Sequence, residues 1–141
     1  MATRVAGRLH ATGSGRKILD SNLIIDVSKP EYPGLRRWIE ARSPAVSGVS
    51  KLEGLGYHKL SEDDRRHFEA FFAASQVLPI SDAVIARAIV LRQSCKLSLG
   101  DALIAATAFE LGRELYTHNI KDFVGIQGLV IIDPIADGDP V

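Results

Sequence analysis

The sequence predicts an α/β domain in which a mainly parallel sheet of four or five strands is flanked by helices. Short apolar runs alternate with longer stretches in which apolar residues recur every three or four positions, as they do in strands and helices. One such stretch begins at Gly100 and is apolar on nearly every side, as expected of a helix buried between other layers. The chain has 141 residues, which is a usual length for one domain.

Five short apolar runs are the predicted strands. The first run ends at Asp20, and the last is stopped by Asp133 and Pro134, because proline has no N–H to donate to a sheet. Short runs separated by helix-length stretches are typical of a parallel sheet covered on both faces. The predicted strands are residues 17–19, 44–47, 76–80, 115–117 and 129–132.

The predicted helices lie between these strands. Ser61 and Ser81 each precede a helical pattern and are expected to be N-cap residues. Ser50, with Glu53 three residues later, has the form of a capping box. A helix is therefore predicted over residues 50–58, with Glu53 in its first turn. The apolar faces of the other predicted helices carry Leu35 with Trp38, Phe68 with Phe72, and Val84 with Ala88, whereas the helix that begins at Gly100 has apolar residues nearly all round, among them Leu103 and Phe109.

Charge and cysteine content exclude several classes of protein. Lys and Arg together number 17, as do Asp and Glu, so the chain does not bind nucleic acid through bulk positive charge. The single cysteine, Cys95, excludes a disulfide framework and a thiolate metal cluster, and it indicates a reducing compartment, which we predict to be the cytoplasm. No apolar run approaches the roughly 18 residues of a membrane span. We expect residues 1–15 to be a flexible extension, 16–135 the domain and 136–141 a frayed acidic tail.

Acidic residues from distant parts of the sequence are predicted to meet at one edge of the sheet. Asp20 follows the first strand, and Asn119 and Asp122 follow the fourth. Glu53 and Asp101 begin helices at the carboxyl edge of the same sheet, where ligands bind in α/β folds. Two carboxylates about 4 Å apart repel by roughly 4 kcal/mol at an effective dielectric of about 20. Oxygen donors without cysteine or paired histidine favour Mg²⁺ or Mn²⁺, and such an ion can promote phosphodiester hydrolysis.

Each of these residues also has a structural interpretation. Glu53 and Asp101 could serve only as helix starts, since each stands three residues after a serine. Asp20 is harder to explain in this way, because an acid among apolar neighbours is costly to bury without a partner. His118 is expected to be structural or solvated, with a contact to substrate phosphate as the alternative. Phe68, Phe71 and Phe72 are expected to pack in the core together with Leu35, Trp38 and Ile39, and a partner groove is the alternative. A solvated face and a site for RNA phosphates are equal alternatives for Arg36, Arg37, Lys59, Arg65 and Arg66.

Four motifs follow one another along the chain: Ile18-Leu19-Asp20-Ser21-Asn22, Ser50-x-x-Glu53, Asp101-Ala102-Leu103-Ile104-Ala105-Ala106-Thr107-Ala108, and Thr117-His118-Asn119-Ile120-Lys121-Asp122-Phe123. In kind and in order they resemble the motifs of PIN-domain nucleases. The match runs from about residue 17 to residue 135, and the compact length is most similar to VapC-type toxins. Any single motif is weak, but four in order are specific.

The resemblance implies a PIN-like three-layer domain and assigns roles to the acidic residues. Asp20 and Asp101 would be the principal metal ligands, and Glu53 would complete the acidic pocket or position the attacking water. Asn119 stands where other branches of the family carry a fourth acid. Whether Asn119 or Asp122 completes the site therefore stays open, as does the number of ions. The hydroxyls that would support the site are those of Ser21 and Thr117.

The same resemblance implies a Mg²⁺- or Mn²⁺-dependent endoribonuclease that acts as the toxin of a toxin–antitoxin pair. Its partners would be an RNA substrate, a cognate antitoxin protein and a second copy of the chain in a homodimer. One alternative is a catalytically silent PIN-like module that binds protein or RNA. A second is a phosphotransferase of the haloacid-dehalogenase type with Asp20 as nucleophile, although Asn22 stands where that family needs a second acid. A DNA-directed nuclease is a third, because nothing in the sequence reads the 2′-hydroxyl group.

Overall fold

A computed structural model describes residues 17–27 and 29–135 of the chain. The predicted flexible extension over residues 1–15 and the predicted acidic tail over 136–141 lie outside the described residues. Within them, no helix has the length and apolar character needed to cross a membrane.

The described residues contain a five-stranded sheet in the order β3-β2-β1-β4-β5, and every neighbouring pair is parallel. This confirms the predicted parallel sheet. The chain first builds outward from β1 through β2 to β3 and then returns to β4 on the other side. The strand order therefore reverses at β1, the kind of point where α/β sheets open a crevice for ligands. The strands are β1 Ile18–Leu19, β2 Ala45–Ser47, β3 Val77–Leu78, β4 Leu115–Tyr116 and β5 Ile131–Ile132.

Helices cover both faces of the sheet. Ile18 faces a core cluster formed with α5, α6 and α7, whereas the next residue, Leu19, faces a second cluster formed with α1, α2 and α4, as alternating side chains of a strand must. The predicted three-layer α/β architecture is confirmed. The helices are α1 Ser21–Asp26, α2 Leu35–Arg42, α3 Gly48–Leu55, α4 Glu62–Ala74, α5 Asp82–Ser94, α6 Leu99–Glu110 and α7 Ile120–Phe123.

The aromatic residues of α2 and α4 pack mainly in the core. Trp38, Phe68 and Phe72 are buried, and Phe71 is half-buried against the same cluster. The ring of Trp38 meets that of Tyr116 edge-on at a centroid distance of 4.7 Å. The core interpretation of these side chains is confirmed.

Two short helices, α1 and α7, are absent from the sequence prediction. Helix α1 has six residues and α7 has four, which is too short for a 3.6-residue period to become visible. Helix α1 also carries the apolar run from Leu23 to Ile25, and a run of this kind does not distinguish strand from helix by periodicity.

The capping-box interpretation of Ser50 is wrong. Helix α3 begins at Gly48, and its N-cap is Ser47, whose hydroxyl accepts from the Val49 N–H at 3.1 Å. Strand β2 passes directly into α3, so the residue that ends the strand takes the capping position. Glu53 therefore lies in the second turn rather than the first, and the helix ends at Leu55 rather than at residue 58. The N-caps Ser61, Ser81 and Ser98 each accept a backbone N–H from three residues later.

A candidate metal centre at the carboxyl edge of the sheet

Asp20 is a buried acid at the end of the central strand. Its residue exposure is 1%, and its backbone N–H donates to the Tyr116 carbonyl at 2.9 Å. The Thr117 hydroxyl donates to Asp20 Oδ2 at 2.8 Å. That hydroxyl also accepts from the Asn119 N–H at 3.0 Å, which directs its proton toward the carboxylate. The neighbouring strand thus fixes the orientation of Asp20 from residues 97 positions away in the sequence.

The surroundings of Asp20 disfavour its charge. Burial raises the pKa of Asp20 from 3.8 to about 6, the Thr117 hydrogen bond acts in the opposite direction, and the charges of Asp101 and Glu53 raise the pKa further. At neutral pH Asp20 is therefore ionised, although its burial and the neighbouring acids destabilise the ionised carboxylate. A bound cation would remove this opposition.

Glu53 reaches the same place from α3 and is held by a chain of hydroxyl groups. Ser21 donates to Glu53 Oε1 at 2.8 Å, and the Ser21 and Ser50 hydroxyl oxygens are 2.7 Å apart. A serine hydroxyl has one proton to donate. Because the proton of Ser21 goes to Glu53, Ser50 must donate to Ser21. Ser50 is buried within α3, so its hydroxyl fixes the position of Ser21, and Ser21 in turn fixes one oxygen of Glu53.

Asp101 enters from the first turn of α6. Its backbone N–H donates to the hydroxyl of the N-cap Ser98 at 3.1 Å. The pKa of Asp101 is raised, first by burial and then by the charges of Asp122 and Glu53, while Ser98 opposes the shift. The position at a helix N-terminus favours ionisation of Asp101, but burial outweighs it.

Asp20, Glu53 and Asp101 line one pocket of about 230 Å³. Three acids, one directly after β1, one from α3 and one from α6, thus meet where the strand order of the sheet reverses. Each acid is close enough for its charge to act on at least one other. The structure therefore brings these three residues together. The remaining lining residues are Ser21, Asn22, Ile24, Ile25, Ser50, Gly54, Phe68 and Phe72.

The other two candidates lie outside this lining. Asn119 precedes α7, and its backbone N–H supports Thr117. Asp122 is exposed on α7, and its charge raises the pKa of Asp101. Asp122 is thus close enough to act on Asp101, whereas Asn119 acts on Asp20 through Thr117.

The donor chemistry of the pocket fits a hard divalent cation. All of its charged groups are carboxylates, which Mg²⁺ and Mn²⁺ accept in preference to nitrogen or sulfur, and the acids repel one another. As they lie, no three His, Cys, Asp or Glu side chains within residues 17–27 and 29–135 form a group that would hold an ion. Asp101 is half-buried, so rotation of its side chain would have to bring an oxygen onto an ion shared with Asp20.

Two further polar features make contacts within the described residues. His118 Nδ1 lies 3.0 Å from the buried carboxylate of Asp133, and its ring meets Tyr32 edge-on. This contact favours the structural interpretation of His118, and Asp133 is a partner that sequence reasoning missed, because nothing in the linear pattern links the two residues. Arg65 and Arg66 on α4 form ion pairs with acids of their own helix, which favours a solvated face. These acids are Glu62, Asp63 and Glu69.

Replacing Thr117 with valine is expected to raise the pKa of Asp20 above its value of about 6, because the hydroxyl that stabilises the ionised form is lost. The free energy of unfolding at pH 8 should fall by about 1–3 kcal/mol, as for a lost hydrogen bond to a charged group. This loss should shrink as pH falls through about 6, where Asp20 of the folded wild type becomes protonated. NMR titration of the Asp20 carboxyl carbon and urea unfolding measure both effects.

The matched control is Thr107→Val, which removes a buried hydroxyl that donates to the Leu103 carbonyl at 2.7 Å. That variant should leave the pKa of Asp20 unchanged. An unaltered Asp20 titration in Thr117→Val would contradict the assigned hydrogen bond.

The chain matches the family model of the PIN domain over residues 17–124. A comparison with curated proteins found no match. A chain of a toxin–antitoxin complex from Klebsiella pneumoniae is 32% identical, with a TM-score of 0.66; the match covers 81% of this chain and 95% of that one.

Two solved structures below 25% identity share the fold. One is DNA-bound VapBC from Salmonella typhimurium, with a TM-score of 0.73 and 21% identity, covering 84% of this chain and 97% of the other. The second is VapBC2 from Rickettsia felis bound to a DNA fragment from its promoter. It has a TM-score of 0.72 and 20% identity, and the match covers 84% of this chain and 100% of the other. The family match over residues 17–124 spans strands β1 to β4 and includes Asp20, Glu53 and Asp101.

Proposed function

Because the chain belongs to the PIN-domain family, we propose that it is a Mg²⁺- or Mn²⁺-dependent endoribonuclease that acts as the toxin of a toxin–antitoxin pair. The observation that carries this proposal is the convergence of Asp20, Glu53 and Asp101 on one pocket. The 32% identical chain from Klebsiella pneumoniae, described as part of a toxin–antitoxin complex, supports the toxin role.

Each acid has a separate part in the proposed reaction. Asp20, fixed by Thr117, would provide a rigid ligand, and the more exposed Asp101 would provide a second. A bound divalent ion would supply charge neutralisation at the scissile phosphate and a lower pKa for the attacking water. Glu53, with one oxygen held by Ser21, would orient that water and accept its proton.

The alternatives are less well supported. A silent binding module would have no use for three mutually repelling carboxylates in one pocket, since they oppose folding unless a cation is bound. The phosphotransferase interpretation rested on Asp20 alone, and membership of the PIN-domain family replaces it. The experiment below also tests whether the substrate is DNA.

We propose that the cognate antitoxin occupies the groove between α2 and α4. This groove has a volume of about 640 Å³, and it combines apolar side chains with two arginines and one glutamate. Such a surface would suit a partner segment with apolar anchors and acidic flanks. The residues that line the groove are Arg36, Ile39, Glu40, Ser43, Pro44, Arg66, His67, Ala70, Phe71, Ala74, Ser75 and Gln76.

The proposed homodimer draws support from exposed apolar residues. Ile85 and Ile89 lie one turn apart on α5 and are each about half exposed, and Leu52 on α3 is 69% exposed. Contiguous exposed apolar patches mark surfaces that contact another protein, and Ile85 and Ile89 are exposed on neighbouring turns of one helix. Sedimentation equilibrium of the purified protein measures the oligomeric state. The cytoplasmic location stays a prediction.

The nuclease proposal predicts that purified protein cleaves labelled RNA in the presence of Mn²⁺ or Mg²⁺, and that excess EDTA stops the cleavage. Analysis of RNA ends by sequencing gels measures the reaction. Cleavage that continues in EDTA would contradict metal dependence. Cleavage of single-stranded DNA but not RNA would assign the DNA-directed alternative, and absence of both cleavage and Mn²⁺ binding would assign the silent module.

A further inference from the structure

Glu53 lies against a position in α6 where no side chain is present. A Cβ atom built on Gly100 would lie 2.3 Å from Glu53 Oε2 and 3.1 Å from its Cδ. No oxygen and carbon that are not bonded to each other approach to 2.3 Å, so any residue other than glycine would displace the carboxylate. We propose that Gly100 is a positioning residue, whose bare backbone lets Glu53 lie against the first turn of α6 beside Asp101. The proposal rests on the metal-dependent function proposed above.

The backbone at this position does not itself require glycine. Gly112 and Gly128 have φ values of 61° and 88°, which other residues rarely adopt. Gly100 is not among the residues with positive φ in the described part of the chain, and it lies within α6. In a helix, alanine is favoured over glycine by about 1 kcal/mol. Alanine at residue 100 would therefore stabilise the helix locally. The contact that disfavours a side chain at this position is the one with Glu53.

The two oxygens of Glu53 are restrained from opposite sides. Oε1 accepts from Ser21, which in turn accepts from the buried Ser50. Oε2 lies against Gly100. The hydroxyl chain holds the carboxylate toward the pocket, and the glycine leaves the space into which it fits. An added methyl group would push Oε2 outward by an ångström or so, to reach an ordinary van der Waals separation, and would disturb the Ser21 bond.

Gly100→Ala tests the proposal, because the displaced atom is the end of a flexible side chain and the fold has no reason to change. The thermal midpoint of the variant should equal or exceed that of the wild type. Mn²⁺ affinity measured by calorimetry should fall on the order of 10- to 100-fold, as when a group that holds a metal-bound water is displaced. A crystal structure of the variant should show Glu53 Oε2 moved from its position over residue 100.

Leu99→Ala is the matched control. It removes an exposed side chain from the same turn of α6, at 62% exposure and outside the pocket lining. This variant should bind Mn²⁺ as the wild type does. Equal losses in Leu99→Ala and Gly100→Ala would indicate a general effect on the helix start and would overturn the proposal.

A double-mutant cycle separates action through Glu53 from a direct effect. In a Glu53→Ala background the methyl group of Gly100→Ala has no carboxylate to displace, so it should not change Mn²⁺ affinity further. A loss that persists in that background would overturn the proposal, as would Gly100→Ala affinity within twofold of wild type.

The same measurements distinguish failure of the positioning role from failure of the proposed function. Wild-type protein that binds Mn²⁺ but cleaves no RNA would overturn the function and leave the Gly100–Glu53 coupling to be measured by calorimetry. If the wild type cleaves RNA and Gly100→Ala binds Mn²⁺ with the same affinity as the wild type, the positioning role alone would be overturned. Wild-type protein that binds no Mn²⁺ would overturn both.

Discussion

Asp20→Asn is expected to abolish RNA cleavage while making the folded protein more stable at pH 8 in the absence of divalent ions. The cleavage rate should fall at least about a hundredfold, because a metal ligand supports several kcal/mol of transition-state stabilisation. Asparagine has nearly the shape of aspartate, and its carbonyl can still accept from Thr117. The variant therefore removes the charge and leaves the packing in place.

The stability gain follows from the pKa of Asp20. This pKa is about 6 in the folded protein and 3.8 in the reference state, so the protonated form favours folding and the ionised form opposes it. The contribution of Asp20 to stability is present below pH 4, declines as pH rises through about 6 and is absent above that. At about 1.4 kcal/mol for each pKa unit, the decline is of order 3 kcal/mol. Asparagine does not titrate, so this part of the pH dependence should disappear.

Urea unfolding of the wild type and of Asp20→Asn in EDTA, at pH 4, 6 and 8, measures this effect. The variant should be the more stable by up to roughly 3 kcal/mol at pH 8, with the difference shrinking toward pH 4. Added Mn²⁺ should stabilise the wild type and leave the variant unchanged, since an ion that binds only the folded state raises its stability. A variant that is less stable than wild type at pH 8 would contradict the assigned cost of the buried charge.

Asp101→Asn is expected to have the second largest effect. The rate of RNA cleavage should again fall at least about a hundredfold, because the more accessible of the two proposed ligands loses its charge. The pKa of Asp20 should also move down toward its usual value, since the Asp101 charge is one of the causes that raise it. A double variant with Asp20→Asn should be scarcely slower than either single variant, because residues that hold one ion act as a unit.

Asp63→Asn provides the control for Asp101→Asn. Asp63 is also in the first turn of a helix, but its side chain is exposed and pairs with Arg66 on α4. Its replacement should leave both the cleavage rate and the Asp20 titration unchanged. A cleavage rate in Asp101→Asn within tenfold of the wild type would contradict its assignment as a ligand.

Patterns of apolar residues predicted most of the architecture. The long apolar stretch after Gly100 is α6, and it lies among buried residues of the cluster that contains Ile18. The predicted strands were longer than those observed; the last, predicted over 129–132, pairs only over Ile131–Ile132. Apolar runs mark where the chain is buried and extended, whereas the number of paired residues depends on the neighbouring strand. Helices α1 and α7 could not be predicted because they are too short to show a period.

The elements that carry Asp20, Glu53 and Asp101 could be placed at one edge of the sheet by a topological rule alone, since each stands near the carboxyl end of a parallel strand. The contacts that orient these three side chains could not be predicted from the sequence. Ser50 was interpreted as a helix cap, and only the structure reveals that its hydroxyl serves Ser21, 29 residues earlier. The relation of Gly100 to Glu53 likewise depends on the packing of α3 against α6, which no local pattern encodes.

Anomalous diffraction from crystals grown with Mn²⁺ tests the central claim most directly, because it locates the ion relative to the three acids. We predict one strong anomalous peak in the pocket at the end of β1, within coordination distance, roughly 2 Å, of an oxygen of Asp20 and an oxygen of Asp101. Crystals with saturating Mn²⁺ in which no anomalous peak lies between these two carboxylates would contradict the account.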